Sequence, residues 1–294
     1  MAPYQQAVLL GIVLGFLARV YMLRTDYRQY PTYPHGRIIH LALGFIAASL
    51  GAVAVPALAE RDFTAVTFLT LAAQQFRDVR NMEREMLSKM DRDELVPRGA
   101  SYIEGIAMVF EGRNYLVILT ALLVSMFTYL FHPWMGVVVG FFCLLLDRIF
   151  MSGKSIGHIA EIQEAPVHFK GALLYVGDIV IMNVGLSANQ NLILEKGLGL
   201  ILKPKNQDAR ITLSHLGQRQ AILHDATTIL GVYRDAGTPA LVPMAKLDLE
   251  DGRVGIFLLP QDKNIEKAVQ LIKRVPILES AVRRPSQAAV NQRR

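Results

Sequence analysis

Cysteine is nearly absent from this sequence. The 294-residue chain has one, Cys143, inside an apolar run, so no intramolecular disulfide can form. Charge is sparse: 19% of residues are charged, against about 25% in soluble domains. Familiar catalytic strings are missing too. There is no Gly-x-Ser-x-Gly, no His-Glu-x-x-His and no glycine-rich phosphate loop ahead of a helix. His158, His168, His215 and His224 lack metal-ligand spacing with cysteines or carboxylates. A disulfide-stapled fold is excluded, and no metal or cofactor is expected. No basic segment precedes the first apolar run and no small-residue cleavage site follows it, so a secretory signal is not expected.

What is present is hydrophobicity, at 52% of residues with a mean hydropathy of +0.31. It is concentrated before about Met151, after which the composition is that of a soluble domain. The expected architecture is therefore a membrane α-helical half over 1–152 and a cytoplasmic α+β domain over 153–285. A disordered basic tail over 286–294 follows. The net charge of +6 fits loops facing anionic lipid better than nucleic acid, which is not expected as a partner.

About five spans are expected. Ala7–Leu23 is the first, with Gly11 and Gly15 as a GxxxG for close helix approach and Arg19 snorkelling from its last turn. Ile38–Ala59 is the second, with His40 at the interface. Phe63–Phe76 is short for a crossing and continues unbroken into the polar stretch, since no Gly or Pro precedes Pro97. Tyr115–Phe131 and Trp134–Met151 form a hairpin closed by His132-Pro133. Asp147 near its end is either an interfacial residue or a functional membrane charge. Arginines crowd the loop at 24–37 and the stretch 76–114, while the N-terminus and the His132-Pro133 turn carry none. Five crossings, with the N-terminus outside and the C-terminal domain inside, match that distribution.

The stretch 76–114 is the one long polar segment of this half, read as a central cytoplasmic loop. Over Asp78–Glu94 the charges alternate at helical spacing, with Val79, Met82, Met86, Leu87 and Met90 as an apolar stripe. Pro97 and Gly99 break it. Ser101 and Glu104 then have capping-box spacing. Glu104 reads either as that cap or as a carboxylate for a proton, an arginine or a cation.

In the C-terminal region, Gly171–Val184 reads as β-rich with a polar break at Gly177-Asp178. Gly197–Lys203 and Ala209–Leu213 read as strands. Leu216–Leu230 reads as a helix with Ile222, Ala226, Ile229 and Leu230 inward. Met244–Glu250 and Arg253–Leu259 form a hairpin on Asp251-Gly252. A helix over Asp262–Arg274 and an extended Ile277–Ala281 follow. This ending resembles half of a ferredoxin-like or ACT-like module. Gln218, Arg219 and His224 are the best polar cluster. His215 and Arg219 share a face that suits an anion or a lipid headgroup, or simply water.

The string Ser101-Tyr102-Ile103-Glu104-Gly105-Ile106-Ala107, flanked by Leu95-Val-Pro-Arg-Gly99 and Glu111-Gly-Arg113-Asn114, resembles the signature of the YIEGIA family of membrane proteins from spore-forming bacteria. The likeness extends to Leu216-Gly-Gln-Arg-Gln-Ala-Ile-Leu-His224. It implies a sporulation or spore-membrane setting and no defined activity. Tyr102, Glu104, Gly105, Arg113, Asn114, Gln218, Arg219 and His224 become functional candidates. Asp178 is added because Gly177-Asp178 resembles part of the Gly-x-Gly-Asp of aspartyl intramembrane proteases, although Tyr175 replaces the first glycine. The expected function is a regulatory or scaffolding role in the cytoplasmic membrane. Its partners are the lipid bilayer and a protein bound at the loop and the C-terminal domain. The alternatives are a membrane hydrolase using Glu104 or Asp178, and a transporter subunit.

Overall fold

The computed structural model describes residues 3–31, 34–76, 78–94, 96–151, 153–233 and 243–284. The expected basic tail lies outside them. The chain divides into two compact units, Met1–Met86 with Ile106–Gly153 and Leu87–Gly105 with Lys154–Arg294.

Six helices build the first half: α1 (Pro3–Asp26), α2 (Pro34–Ala59), α3 (Phe63–Phe76), α4 (Val79–Asp91), α5 (Ala100–Leu130) and α6 (Pro133–Phe150). Small side chains let α1, α2 and α5 approach closely: Ala18, Ala47, Ala48, Ala52 and Ala121 are all buried in one cluster. The Gly11/Gly15 pair sits at this contact, where a Cβ added to Gly15 would stand 2.8 Å from the Ala121 Cβ. Large apolar side chains cover the outside, among them Phe45, Leu119, Val138, Phe141 and Phe142.

Among the described residues, three helices are long and apolar enough to cross a membrane, over Tyr4–Asp26, His35–Ala59 and Ala100–Leu130. With 14 residues, α3 rises about 21 Å, against a hydrocarbon core of about 30 Å. It does not run on into α4. The Asp78 N–H closes a tight turn onto Gln75 O (3.1 Å), and Asp78 O accepts from Met82 N (3.0 Å) to start α4. Aspartate starts helices readily, so no glycine or proline was needed. The inner edge of α4 also differs from the expected methionine stripe. Val79, Glu83, Leu87 and Asp91 are buried, while Met82 is 55% exposed. Two carboxylates can lie inward because both have hydrogen-bond donors. Finally, α5 is one helix of 31 residues. It starts in the second unit and runs on through the first, so Arg113 and Asn114 are mid-helix residues, not the end of a loop.

The second unit adds α7 (Ile156–Ile159), β1 (Ala160–Glu164), β2 (Val167–Lys170), β3 (Leu173–Val176), β4 (Ile179–Asn183), α8 (Ser187–Lys196), β5 (Leu198–Pro204), α9 (Gln207–Ser214), α10 (Leu216–Leu230), β6 (Met244–Leu247), β7 (Val254–Leu258), α11 (Ile265–Arg274) and a 3-10 turn, Glu279–Ala281. Strands β2-β3-β4 form one antiparallel sheet. The other has the order β1-β5-β7-β6, with every neighbouring pair antiparallel. Strands β5 and β6 therefore run parallel on either side of β7, joined through α9 and α10, which is a split β-α-β arrangement.

Several expectations change here. Ala209–Leu213 is helical within α9, because the Asn206 side chain caps Ala209 N at 2.8 Å. The β6–β7 ladder ends at the pair Leu247 and Val254. Its turn spans 248–253 instead of two residues, since Arg253 is held by Asp178, Asp248 and Asp251. On α10, Ile229 faces outward. Ile277–Ala281 is not extended throughout but curls into the 3-10 turn, where Ala281 N donates to Leu278 O.

Candidate functional site

The two strings that carry the family resemblance interlock within the second unit. Ahead of α5, Gly99 takes a positive φ of 83°. Its N–H and that of Arg98 donate to the two Asp91 carboxylate oxygens, at 3.0 and 2.6 Å. Gly99 O accepts from Tyr102 N and Ile103 N, so the helix begins before Ser101, which is therefore not the cap. The Tyr102 N–H is also met from outside, by Gln220 Oε1 of α10 at 3.2 Å. One turn on, His224 Nδ1 donates to Val96 O at 2.8 Å, which fixes its tautomer. The Tyr102 ring stands edge-on to the His224 ring, centroids 6.3 Å apart.

Two glycines permit this contact. A Cβ on Gly217 would lie 2.6 Å from Ser101 O, and one on Gly105 would lie 2.6 Å from Ser280 Oγ. A side chain at Gly217 would force the two backbones apart, whereas one at Gly105 meets only the Ser280 side chain. Gln218, fully buried, clamps the segment after α11: its Nε2 donates to Pro276 O (3.1 Å) and its Oε1 accepts from Leu278 N (2.7 Å). Arg219 turns the other way and donates to Ala245 O (3.0 Å) and Ser214 O (3.5 Å). Its guanidinium serves backbone carbonyls, which argues against the anion face read from the sequence.

Charge is concentrated at the same place. Arg98 meets Glu94 at 2.9 Å and Asp91 at 4.0 Å. Burial pushes the Asp225 carboxyl up to about 6, with the Arg98 charge opposing it. Burial, and then Arg98, hold the His224 imidazole below its ordinary value.

Arg113 and Asn114 belong to the helical unit. Asp26 bridges two arginines there, accepting from Arg19 NH1 at 2.7 Å and from Arg113 Nε at 3.2 Å. Arg19 does not snorkel: it is fully buried, and its guanidinium lies 4.7 Å from the Phe110 ring centroid. His40 is likewise buried, against Tyr30 and Phe110. Asp147 is buried as well. Both amide atoms of Asn114 and Oδ2 of Asp147 are buried without a hydrogen-bond partner among the described residues. Ionisable groups inside apolar helices cost several kcal/mol each unless paired.

Of the remaining candidates, Glu104 is half-buried in the second turn of α5. Asp178 lies in the turn between β3 and β4, its side chain 64% exposed, with both oxygens on Arg253 at 2.9 and 2.7 Å. That bond holds its carboxyl below the usual range. An exposed, paired carboxylate is not the environment of an acid protease. Sequence reasoning missed Asp91, Asp225, Asp26 and Glu83. The i,i+4 line 79–83–87–91 was the available signal, hidden because two of its members are acids.

The geometry defines a class, an apolar helical bundle with buried ion pairs joined to a two-sheet α+β unit. The chain belongs to the YIEGIA family: the family model described as YIEGIA protein matches residues 7–288. It is similar to the protein described as "Uncharacterized protein YphB" of Bacillus subtilis (strain 168), 53% identical over 292 residues, covering 99% of this chain and 98% of that one. No solved structure matches.

Proposed function

We propose that the protein is a multi-pass component of the bacterial cytoplasmic membrane with a regulatory or scaffolding role in sporulation. The observation that carries the reading is the interlock of Ser101–Gly105 with α10. A single helix, α5, has the backbone N–H of Tyr102 in its first turn held by the Gln220 side chain of the α+β unit and then continues through the apolar bundle. An event at α10, such as partner binding, therefore acts directly on a candidate membrane helix. The split β5-β7-β6 arrangement supports a ferredoxin-like or ACT-like regulatory unit, and the relative in a spore-forming bacterium supports the setting. In this reading the N-terminus is outside, and the α+β unit is cytoplasmic and binds a protein partner.

The test is Gly217→Val in the native host. Spore yield and co-purification of a partner should fall while the membrane-fraction immunoblot stays at the wild-type level. Normal sporulation with normal partner recovery would contradict the proposal. A second reading, a transporter subunit, is favoured by the buried Arg19, Asp26, Arg113 and Asp147. It requires that solute flux into vesicles depend on Asp147.

A further inference from the structure

At one end of the helical unit, Glu83 of α4 is buried against residues from the ends of α1 and α2. The Tyr30 hydroxyl donates to its Oε2. Its Oε1 faces His40 Nε2 at 3.9 Å. Across the imidazole ring, His40 Nδ1 shares a hydrogen bond with the Tyr27 hydroxyl at 3.3 Å. The Tyr30 and Phe110 rings wall the histidine, with centroids at 4.5 and 4.6 Å. Exchangeable groups thus form a line from Tyr27, which is half-buried, to Glu83, which is buried. Arg19, whose charge also acts on Glu83, is paired with Asp26 through one guanidinium nitrogen.

We propose that Glu83, His40 and Tyr30 form a buried proton-binding site, loaded through Tyr27. With Glu83 ionised, the Tyr27 O–H donates to His40 Nδ1, and the proton on Nε2 points at Glu83 Oε1. Loading moves each proton one step. The Nε2 proton passes to Oε1, the Tyr27 proton passes to Nδ1, and the Tyr27 oxygen takes one proton from a hydronium ion of the solvent, which leaves as water. One proton has entered and Glu83 is neutral. His40 has changed tautomer and now donates from Nδ1 while Nε2 accepts from the acid. The 3.9 Å gap closes to hydrogen-bonding distance during transfer. This goes beyond the regulatory reading and does not depend on it.

The groups facing Glu83 set the direction of its titration. Burial raises its carboxyl above the ordinary 4.5, while the Tyr30 hydrogen bond and the Arg19 charge pull it back. His40 faces it from α2, Phe110 of α5 adds no charge, and Arg80 of α4 turns to Glu111 at 3.7 Å. The full-length protein in lipid nanodiscs would be titrated by infrared difference spectroscopy, following the C=O band of a protonated carboxyl. A band lost in Glu83→Gln, with a midpoint above 4.5, is expected. Tyr30→Phe, which keeps the ring, should shift the midpoint further up, because it removes a donor to the ionised form. It also reads the site should Glu83→Gln not accumulate. A spectrum unchanged by Glu83→Gln, a midpoint at or below the ordinary value, or a downward shift in Tyr30→Phe would overturn the proposal.

Discussion

The two units treat buried polar groups differently. In the α+β unit, several buried side chains serve the backbone, although Arg98 also pairs with Glu94 and Asp91. Gln218 holds Pro276 and Leu278, Arg219 holds Ala245, Gln220 holds Tyr102, His224 holds Val96, and Asp91 holds Arg98 and Gly99. Each joins one helix to a loop or strand, and the result is a fixed geometry. In the helical unit, side chains serve one another: Asp26 joins Arg19 to Arg113, and Glu83 joins Tyr30 to His40. Some atoms are left over, including both ends of the Asn114 amide. Polar groups that tie backbone are architecture. Polar groups that share charge, with capacity to spare, are where a proton or a solute can act.

That contrast orders the expected effects of mutation. Asp26→Asn should be the most severe, since it leaves two buried arginines without their shared counter-ion. Breaking a buried pair costs about 3–5 kcal/mol, so the protein should be largely lost from the membrane fraction on an immunoblot. Gln218→Ala should be next. It orphans a buried N–H and a carbonyl, at about 1–3 kcal/mol each. Hydrogen exchange at Leu278 should quicken while that of the helical unit stays unchanged, and a uniform change would blur the distinction between the units.

The pH dependence of the α+β unit should be intermediate. Asp225 has a folded value of about 6 against an ordinary 3.8. Its contribution is complete below the ordinary value and is lost as pH rises through about 6. His224, lowered on folding from an ordinary 6.5, acts oppositely: its contribution is present above 6.5 and is lost as pH falls through its folded value. Stability measured by thermal unfolding across this window should change slope in Asp225→Asn, which removes the first component and keeps the second. The smallest effect belongs to Asp178→Asn. Its exposed pair with Arg253 contributes at most about 1 kcal/mol, and thermal stability and any sporulation phenotype should stay close to wild type.

Much of the architecture was legible. Apolar runs gave the positions of α1, α2 and α6, and alternation gave β3, β4, β5 and β7. The family likeness marked both strings, but their contact through Gln220 and His224 is visible only in the structure. What escaped notice depends on tertiary partners. Glu83 and Asp91 lie off the apolar stripe expected from residue type, and only Tyr30 and the Arg98 and Gly99 N–H groups make their burial possible. Arg19 was placed at the interface because Asp26, seven residues on, was not recognised as its partner. Ala209–Leu213 looked like a strand until the Asn206 cap was counted. Glu104 drew attention as the motif's one charge, yet Tyr102 and Gly105 make the described contacts with α10 and Ser280.

The central claim is that the motif docks onto the C-terminal part of the chain. It can be tested by replacing Cys143, the single native cysteine, with alanine and adding the pair Gly105→Cys and Ser280→Cys. The ideal Cβ position at Gly105 lies 3.7 Å from the Ser280 Cβ, close to the mean of about 3.8 Å in disulfides. In isolated membranes under mild oxidation, the two thiols should form an intramolecular disulfide and become inert to maleimide. Both thiols staying free and maleimide-reactive, in a variant present at the wild-type level, would contradict the account.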